Sequence, residues 1–239
     1  MRRGMPTIAL SYPVPLPKRR TFAQRTLVVL LRRLLGGRWG IRAARIYAVM
    51  VSISVTATIW VLAKKYGTDD TALSLVARSA ALLTWIAGGI ATLALSVPPK
   101  DAPFAQAIAA LALSRGHTNE RIARAEMAAT VWLLVEVIAV PIVAIGAFVF
   151  AFVAGGHLAD AVWPIVGACV FGLLAAVVLG VVASGCRRWG GAQGRSWLLV
   201  VVFLPWLVAE LVLGGKGSAY LSIPGLLGRV WETLTVVGS

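Results

Sequence analysis

Long apolar runs alternate with short charged segments along most of the chain. Each run has about the twenty residues that a helix needs to cross the hydrocarbon core of a bilayer. Prolines, glycines or clusters of charge end the runs, as expected for helices that stop at a membrane surface. The pattern therefore predicts five membrane-spanning helices. They cover approximately residues 46–63, 79–97, 127–154, 161–186 and 196–215.

The N-terminal segment, residues 1–45, has a different pattern. Within it, Leu27 and Leu31 lie on one face of a helix predicted over residues 21–35, and Arg32 lies on the opposite face. This helix is too short and too charged to cross a bilayer. It is typical of an amphipathic helix that lies in the membrane interface.

The C-terminal tail, residues 216–239, is too short and too polar for another crossing. Leu227, Trp231 and Leu234 share one helical face, which predicts a short interfacial helix at the outer surface. The expected fold is therefore all-α. It is a polytopic transmembrane helix bundle of about five spans over residues 46–215, preceded by the basic segment with its interfacial helix and followed by this tail.

The composition supports a membrane protein. Hydrophobic residues make up 59% of the 239 residues and charged residues 13%, against about 25% charged in a typical soluble domain. The formal net charge of +14 would favour nucleic acid as the partner of a soluble protein. Here the arginines and lysines cluster at the ends of apolar runs, so we expect membrane lipids as partners and no nucleic acid.

The distribution of positive charge predicts an orientation. Residues 1–45, 98–126 and 187–195 carry 11, 4 and 3 Arg and Lys, whereas the alternate segments together carry five. The positive-inside rule then puts the N-terminus in the cytoplasm and the C-terminus outside. Residue usage that favours Arg, Ala, Val and Gly over Lys, Ile and Asn indicates a GC-rich bacterial genome. The expected location is therefore the bacterial cytoplasmic (inner) membrane.

Three ionisable side chains, Arg78, Glu136 and Glu210, lie within or near the apolar runs. A charge at the bilayer centre costs roughly 2.5–3.5 kcal/mol on insertion scales, so each needs a partner, water or protonation. Arg78 and Glu210 both lie toward the outer ends of their spans and are expected to pair. Glu136 lies deeper, where the sequence leaves open a polar point on a transport path or an interhelical hydrogen bond.

The residues show no enzyme. Two histidines and two cysteines provide no metal-ligand spacing, and no nucleophile, base and orienting group occur in a recognisable pattern. The glycine-rich segment 190–196 lacks the lysine of a phosphate-binding loop. We therefore predict no catalytic, cofactor or metal site.

The segment between the second and third spans carries an apolar stripe at helical spacing, then a turn of Ser114, Arg115, Gly116 and His117. Thr118 or Asn119 is suited to cap a new helix that runs into the third span. The stripe and turn together form a candidate surface for coupling to a partner. Its residues are Phe104, Ile108, Leu111, Arg115 and His117.

This order of elements resembles the membrane subunits of type-2 ABC exporters. The matching features are the amphipathic helix before the first span, the helix and break at 111–122, and the short outer turn between the third and fourth spans. In that family the first is an interfacial elbow helix, and the second carries the coupling helix that docks on a separate ATPase. Two features depart from the family pattern. We expect five spans where the family normally has six, and Leu113 stands where the coupling loop often has proline.

The resemblance implies a permease subunit that forms a homo- or heterodimer and is moved by a separate ATPase through residues 98–126. The alternative is a non-transporting multi-pass scaffold or assembly subunit of a larger membrane complex. A membrane-embedded enzyme comes third.

The charge bias generates a topology prediction. Single cysteines are placed at Arg115, Arg188 or Ser239 in a background that lacks Cys169 and Cys186, and are exposed to a membrane-impermeant maleimide. We expect the Ser239→Cys site to react in intact cells and the other two only after lysis. Reaction of Arg115→Cys or Arg188→Cys in intact cells would contradict the five-span orientation.

Overall fold

In the computed structural model the described residues are 24–66, 70–98, 102–152, 158–213 and 223–236, and their regular structure is entirely helical. The predicted all-α fold class is confirmed. The α-helices are α1 Gln24–Gly36, α2 Trp39–Tyr66, α3 Asp70–Leu82, α4 Gly88–Leu95, α5 Ala102–Ser114, α6 Asn119–Leu134, α7 Val140–Phe152, α8 Leu158–Gly190, α9 Gly194–Leu213 and α10 Ile223–Val236.

Short irregular turns of helix join some of these elements. A π-helical turn, Leu83–Ala87, connects α3 to α4, and a second, Val135–Ala139, connects α6 to α7. A 3-10 turn, Gly191–Gln193, separates α8 from α9. The two π-helical turns leave α3 with α4, and α6 with α7, as continuous helical stretches.

Four stretches of the described residues are long and apolar enough to cross a membrane, judged by length and composition. The last of them overlaps two of the predicted spans, 161–186 and 196–215, because only the 3-10 turn separates α8 from α9. The four stretches are Trp39–Lys65, Arg78–Leu95, Asn119–Phe152 and Ile165–Val202.

The chain reverses between α8 and α9, so these two are separate helices. Cys186 near the end of α8 packs with Leu198 and Val202 of α9. A Cβ atom at Gly190 would lie 2.6 Å from the Trp197 ring, and Gly191 has a φ of +49°. Glycine tolerates both the close approach and the left-handed conformation. This agrees with the two separate runs predicted from the sequence.

The α6–α7 stretch, Asn119–Phe152, lies at the centre of the bundle, and we call it the central helix. Helix α2 lies at the periphery. Each of the two stretches contains an apolar window of 18 residues. In Asn119–Phe152, 56% of that window is buried, whereas in Trp39–Lys65 only 11% is buried. Leu133, Ile138 and Ile142 are fully buried at the centre. The exposed apolar side chains of α2, such as Met50 and Ile53, are suited to contact lipid.

The N-terminal amphipathic helix packs on protein. Leu27, Leu31 and Leu35 of α1 are buried, and the helix lies along α6. The sequence predicted that this apolar face would enter the lipid interface. Packing on α6 removes the same apolar surface from water. It also brings Arg32, which the sequence pattern placed on the opposite face of α1, beside Trp132 and Glu136.

The C-terminal helix packs lengthwise on α8. The Trp231 and Phe171 rings meet edge-on with centroids 4.9 Å apart, and Leu227 is buried beside Phe171. Further along, the carbonyl oxygen of Leu234 is 2.7 Å from the position of a Cβ at Gly167. Thus α10 runs antiparallel to α8 and covers one of its faces. The short helix predicted for this tail is present, and its apolar face packs against the bundle.

Small residues on α8 allow the neighbouring helices to approach. A Cβ at Gly180 would lie 2.7 Å from Cγ2 of Val131 and 3.0 Å from its Cα, and a Cβ at Gly172 would lie 2.7 Å from Cδ1 of Ile142. Ala176, between the two glycines, is fully buried. This four-residue spacing of small side chains is typical of helix interfaces in membranes, where close backbone packing supplies much of the attraction.

The packing predicts opposite effects of one substitution at two glycines. Gly180→Ala should lower the free energy of unfolding by about 1–3 kcal/mol, because the α-carbon of Val131 cannot move aside without shifting α6. Gly89→Ala should be neutral or stabilising by up to about 1 kcal/mol, since no atom lies within 4 Å of its Cβ position and alanine favours helix. Thermal unfolding in mild detergent measures both. Equal effects would mean that the α6–α8 contact is loose.

Candidate functional site

Five helix ends meet at one end of the bundle, called the basic end below: the starts of α2, α6 and α9 and the ends of α4 and α8. A Cβ at Gly194 would overlap the carbonyl oxygen of Ser96, so α9 begins against the end of α4. Arg187 of α8 donates to the Leu95 carbonyl at 2.7 Å. The segments that carry the positive bias in the sequence supply most of these helix ends.

Arg187 lies at the centre of the basic end and is 4% exposed. Its Nε is 2.8 Å from Oε1 of Glu126, and its Nη2 donates to the Thr130 hydroxyl at 3.0 Å. Its Nη1 makes the bond to Leu95. One guanidinium therefore connects α4, α6 and α8, and each of its nitrogens has an acceptor, as a buried charge requires.

Arg38, in the turn before α2, lies against the same end of α4. Its Nη1 donates to the Val97 carbonyl at 2.7 Å and also to that of Ala94. Among the described residues its buried Nε and Nη2 have no hydrogen-bond partner. Burial, with repulsion from Arg187, lowers the pKa of Arg38 to about 10, and Glu126 partly offsets this. Arg38 therefore remains charged at neutral pH.

The two arginines provide hydrogen-bond donors for the free carbonyl groups at the end of α4. The last carbonyls of a helix have no partner within the helix, and they carry the negative end of its dipole. Arg38 and Arg187 supply donors and positive charge there from segments far away in sequence. In the sequence these arginines are recognisable only as charges in the segments between apolar runs. Glu126 directly precedes the third apolar run and Arg187 directly follows the fourth, which signals a shared membrane boundary but not their contact.

A second cluster surrounds Glu136. Its Oε2 accepts from Nη2 of Arg45 at 2.7 Å, and its Oε1 pairs with Nη2 of Arg32. The indole Nε1 of Trp132 also donates to Oε1, at 2.9 Å, and the Arg32 guanidinium lies 5.2 Å from the Trp132 ring centroid. The carboxylate thus joins α1 and α2 to the central helix. Of the two roles left open by the sequence, these contacts favour the structural one.

Pro141 explains why the backbone at Glu136 forms a π-helical turn. Pro141 has no N–H and its ring conflicts with the carbonyl four residues earlier. The Val140 N–H instead bonds to the Val135 carbonyl, five residues back. The extra residue shifts the helix register between the end of α6 and Pro141. It is within this irregular turn that Glu136 meets its two arginines.

Some of the candidate coupling residues are buried in the structure and others are exposed. Ile108 is 7% exposed and His117 is 6% exposed, so both belong to the packed side of the segment, whereas Leu111 is 44% exposed. Arg115 is exposed. The side chain of Phe104 lies outside the described residues. The exposed surface therefore includes Leu111, Arg115 and a further residue that was not among the candidates, Leu113, which is 47% exposed.

The cap expected at the start of α6 is present. The Thr118 hydroxyl accepts from the Arg121 N–H at 3.3 Å, which satisfies one of the free donors of the first turn. From there the helix runs through α6, the π-turn and α7 to Phe152, as the sequence predicted.

The predicted pair of Arg78 and Glu210 stays a prediction. Arg78 is exposed on α3, and the side chain of Glu210 lies outside the described residues. Within the part of the chain that the structure describes, no group of three or more His, Cys, Asp or Glu side chains is placed to hold a metal ion.

No protein-family model, curated protein or solved structure matches this chain. What can be said of its function therefore depends on its own sequence and geometry.

The buried position of Arg187 predicts a large difference between two identical substitutions on α6. Glu126→Gln should lower the free energy of unfolding by about 3–5 kcal/mol, because it leaves the buried Arg187 without a counter-charge. Glu120→Gln removes an exposed pair with Arg124, N···O 3.2 Å, and should cost less than about 1 kcal/mol. Unfolding in detergent compares them. A small effect at Glu126 would mean that water or another acceptor reaches Arg187.

Proposed function

We propose that this chain is the membrane-embedded permease subunit of an ABC-type exporter in a bacterial cytoplasmic membrane. Its N-terminus is cytoplasmic, and the segment 98–126 couples it to a separate ATPase. The observation that carries the proposal is the connection of α5, through the turn at 115–118, to the central helix. A helix with exposed apolar side chains is thus joined directly to the most buried span.

The buried side of α5 supports a mechanical role. Ile108 and Ala112 are part of the main hydrophobic core together with Leu31 of α1. Away from this stripe, α5 has an exposed face with Leu111 at one edge and Leu113 at the other, and a partner groove that takes an amphipathic helix would contact both. A force on this exposed face would act on α6, because only one turn separates the two helices and Thr118 fixes the start of α6.

The two terminal helices also support the proposal. In type-2 exporters an elbow helix precedes the first span, and α1 occupies the corresponding place in this chain, packed on α6. The resemblance also implies short re-entrant helices on the outer side after the fifth span, and α10 is a short helix packed along α8. By the same resemblance, two permease chains would form a central path, and surrounding lipid is the remaining partner.

A second candidate function is a non-transporting membrane scaffold or assembly subunit. The observation that favours it is the ion pairing of the two described carboxylates that lie within the third apolar stretch or at its edge. Glu126 and Glu136 are both paired with arginines within the chain, as expected of groups that hold a fixed structure. A scaffold would use the exposed face of α5 to bind a partner without ATP-driven motion.

The proposal predicts the effect of a charge on the exposed face of α5. Leu111→Asp and Leu113→Asp should each abolish co-purification of an ATPase subunit, because a charge cannot be buried in an apolar groove without a partner. The protein should still insert and accumulate, since both side chains are about half exposed. The measurement is affinity purification in mild detergent, with identification of the proteins that co-purify.

The matched control is Val29→Asp, which places the same charge on the exposed face of α1 and should leave the partner bound. If wild type recovers a membrane complex that contains no ATPase, and Leu111→Asp releases it, the scaffold function is supported. If the ATPase remains bound to Leu111→Asp and Leu113→Asp, α5 is not the coupling helix. Ile108→Asp is unsuitable as a test because this buried substitution would unfold the segment.

A further inference from the structure

A polar cavity opens between α6 and α8 at the basic end. Its volume is about 400 Å³, and its polar lining comes from both helices. From α6 it receives Glu120, Arg124 and Glu126, and from α8 it receives Ser184 and Arg188. The cavity lies beside the buried Arg187 cluster, because Glu126 belongs to both.

The charges around this cavity leave one cation without a counter-charge. Glu126 pairs with Arg187 at 2.8 Å, and Glu120 pairs with Arg124 at 3.2 Å. Among the described residues, Arg188 makes no ion pair, and it is exposed to the cavity. The cavity therefore offers a free guanidinium, which is suited to a phosphate or carboxylate.

An apolar groove of about 360 Å³ lies between α8 and α9. Val182, Cys186, Val201 and Trp197 line it, and its surface is almost entirely carbon and sulfur. The groove and the polar cavity share one wall, formed by Val181, Gly185 and Trp189. Cationic and apolar compartments thus adjoin at the level where Trp189 and Trp197 mark the membrane interface.

From this juxtaposition we infer that the basic end holds one anionic phospholipid, with its headgroup phosphate at Arg188 and an acyl chain in the groove between α8 and α9. A free phosphate would use only the polar cavity and would leave the groove unexplained. A lipid without net charge would leave the excess positive charge of Arg38, Arg187 and Arg188 over Glu126 uncompensated. An anionic lipid supplies a negative headgroup for the polar cavity and an acyl chain for the apolar groove. The inference does not depend on transport activity.

Gly185 provides a way to block the site. It lies on the wall common to both compartments, and no atom is found within 4 Å of the position of its Cβ. A leucine there would extend into the open space without displacing the helices. Gly89→Leu is the matched control, because Gly89 also has nothing within 4 Å and belongs to another helix.

The experiment measures binding of phosphatidylglycerol and of phosphatidylcholine to the full chain in detergent, by native mass spectrometry and by the shift in melting temperature. Wild type should bind one phosphatidylglycerol at least about tenfold more tightly than phosphatidylcholine. Gly185→Leu should abolish this preference, and Gly89→Leu should retain it.

The charge contribution is tested by Arg188→Gln, which should weaken phosphatidylglycerol binding about tenfold and bring it near that of phosphatidylcholine. Arg33→Gln removes an exposed arginine from α1 and should leave the preference intact. Equal loss in both variants would show a general effect of net charge and would overturn the site. Binding of glycerol 3-phosphate or inorganic phosphate with the affinity of the lipid would assign the cavity to a soluble anion.

Unchanged phosphatidylglycerol preference in both Gly185→Leu and Arg188→Gln would likewise overturn the inference. The melting temperature without added lipid guards against misfolding. A variant that melts as wild type does and yet has lost the lipid shift supports the site directly.

Discussion

The bond between Arg187 and Glu126 is the interaction on which the basic end depends. A guanidinium removed from water is tolerated only when its charge and its donors are all matched. Here Glu126 supplies the charge, and Thr130 and the end of α4 supply the other acceptors. Since Arg187 lies on α8 and these partners lie on α4 and α6, the ion pair fixes the relative positions of the second, third and fourth apolar stretches at one boundary. Arg38 adds the turn before α2 to the same junction.

Away from that boundary, carbon packing holds the helices together, and glycine sets how closely they approach. Gly172 and Gly180 let α8 lie directly on the central helix, where larger side chains would collide with Ile142 and Val131. The central helix also accommodates Pro141 through a π-helical turn, and this irregularity carries Glu136. Thus a local backbone conflict and a long-range ion-pair cluster are located at the same point of the bundle.

The basic end combines three features that are of use to a membrane protein with a partner. It contains the rigid ion-pair junction, the cavity and groove inferred to hold an anionic lipid, and the connection from α5 to α6. A lipid between α6 and α8 would lie next to the helix that the proposed ATPase is expected to move.

The sequence by itself determined the class of fold, the presence of apolar helices long enough to cross a membrane and the capped start of α6 at Thr118, because hydropathy and helix caps depend on neighbouring residues. It also identified Glu136 as a residue in need of partners. Only the tertiary structure decided that those partners are Arg32 and Arg45, that α1 and α10 pack on the bundle, and that Ile108 is buried while Leu111 is exposed. The physical reason is that a buried charge or a helical face can be satisfied by lipid, water or any suitable neighbour. Which one is chosen depends on how helices far apart in sequence pack together.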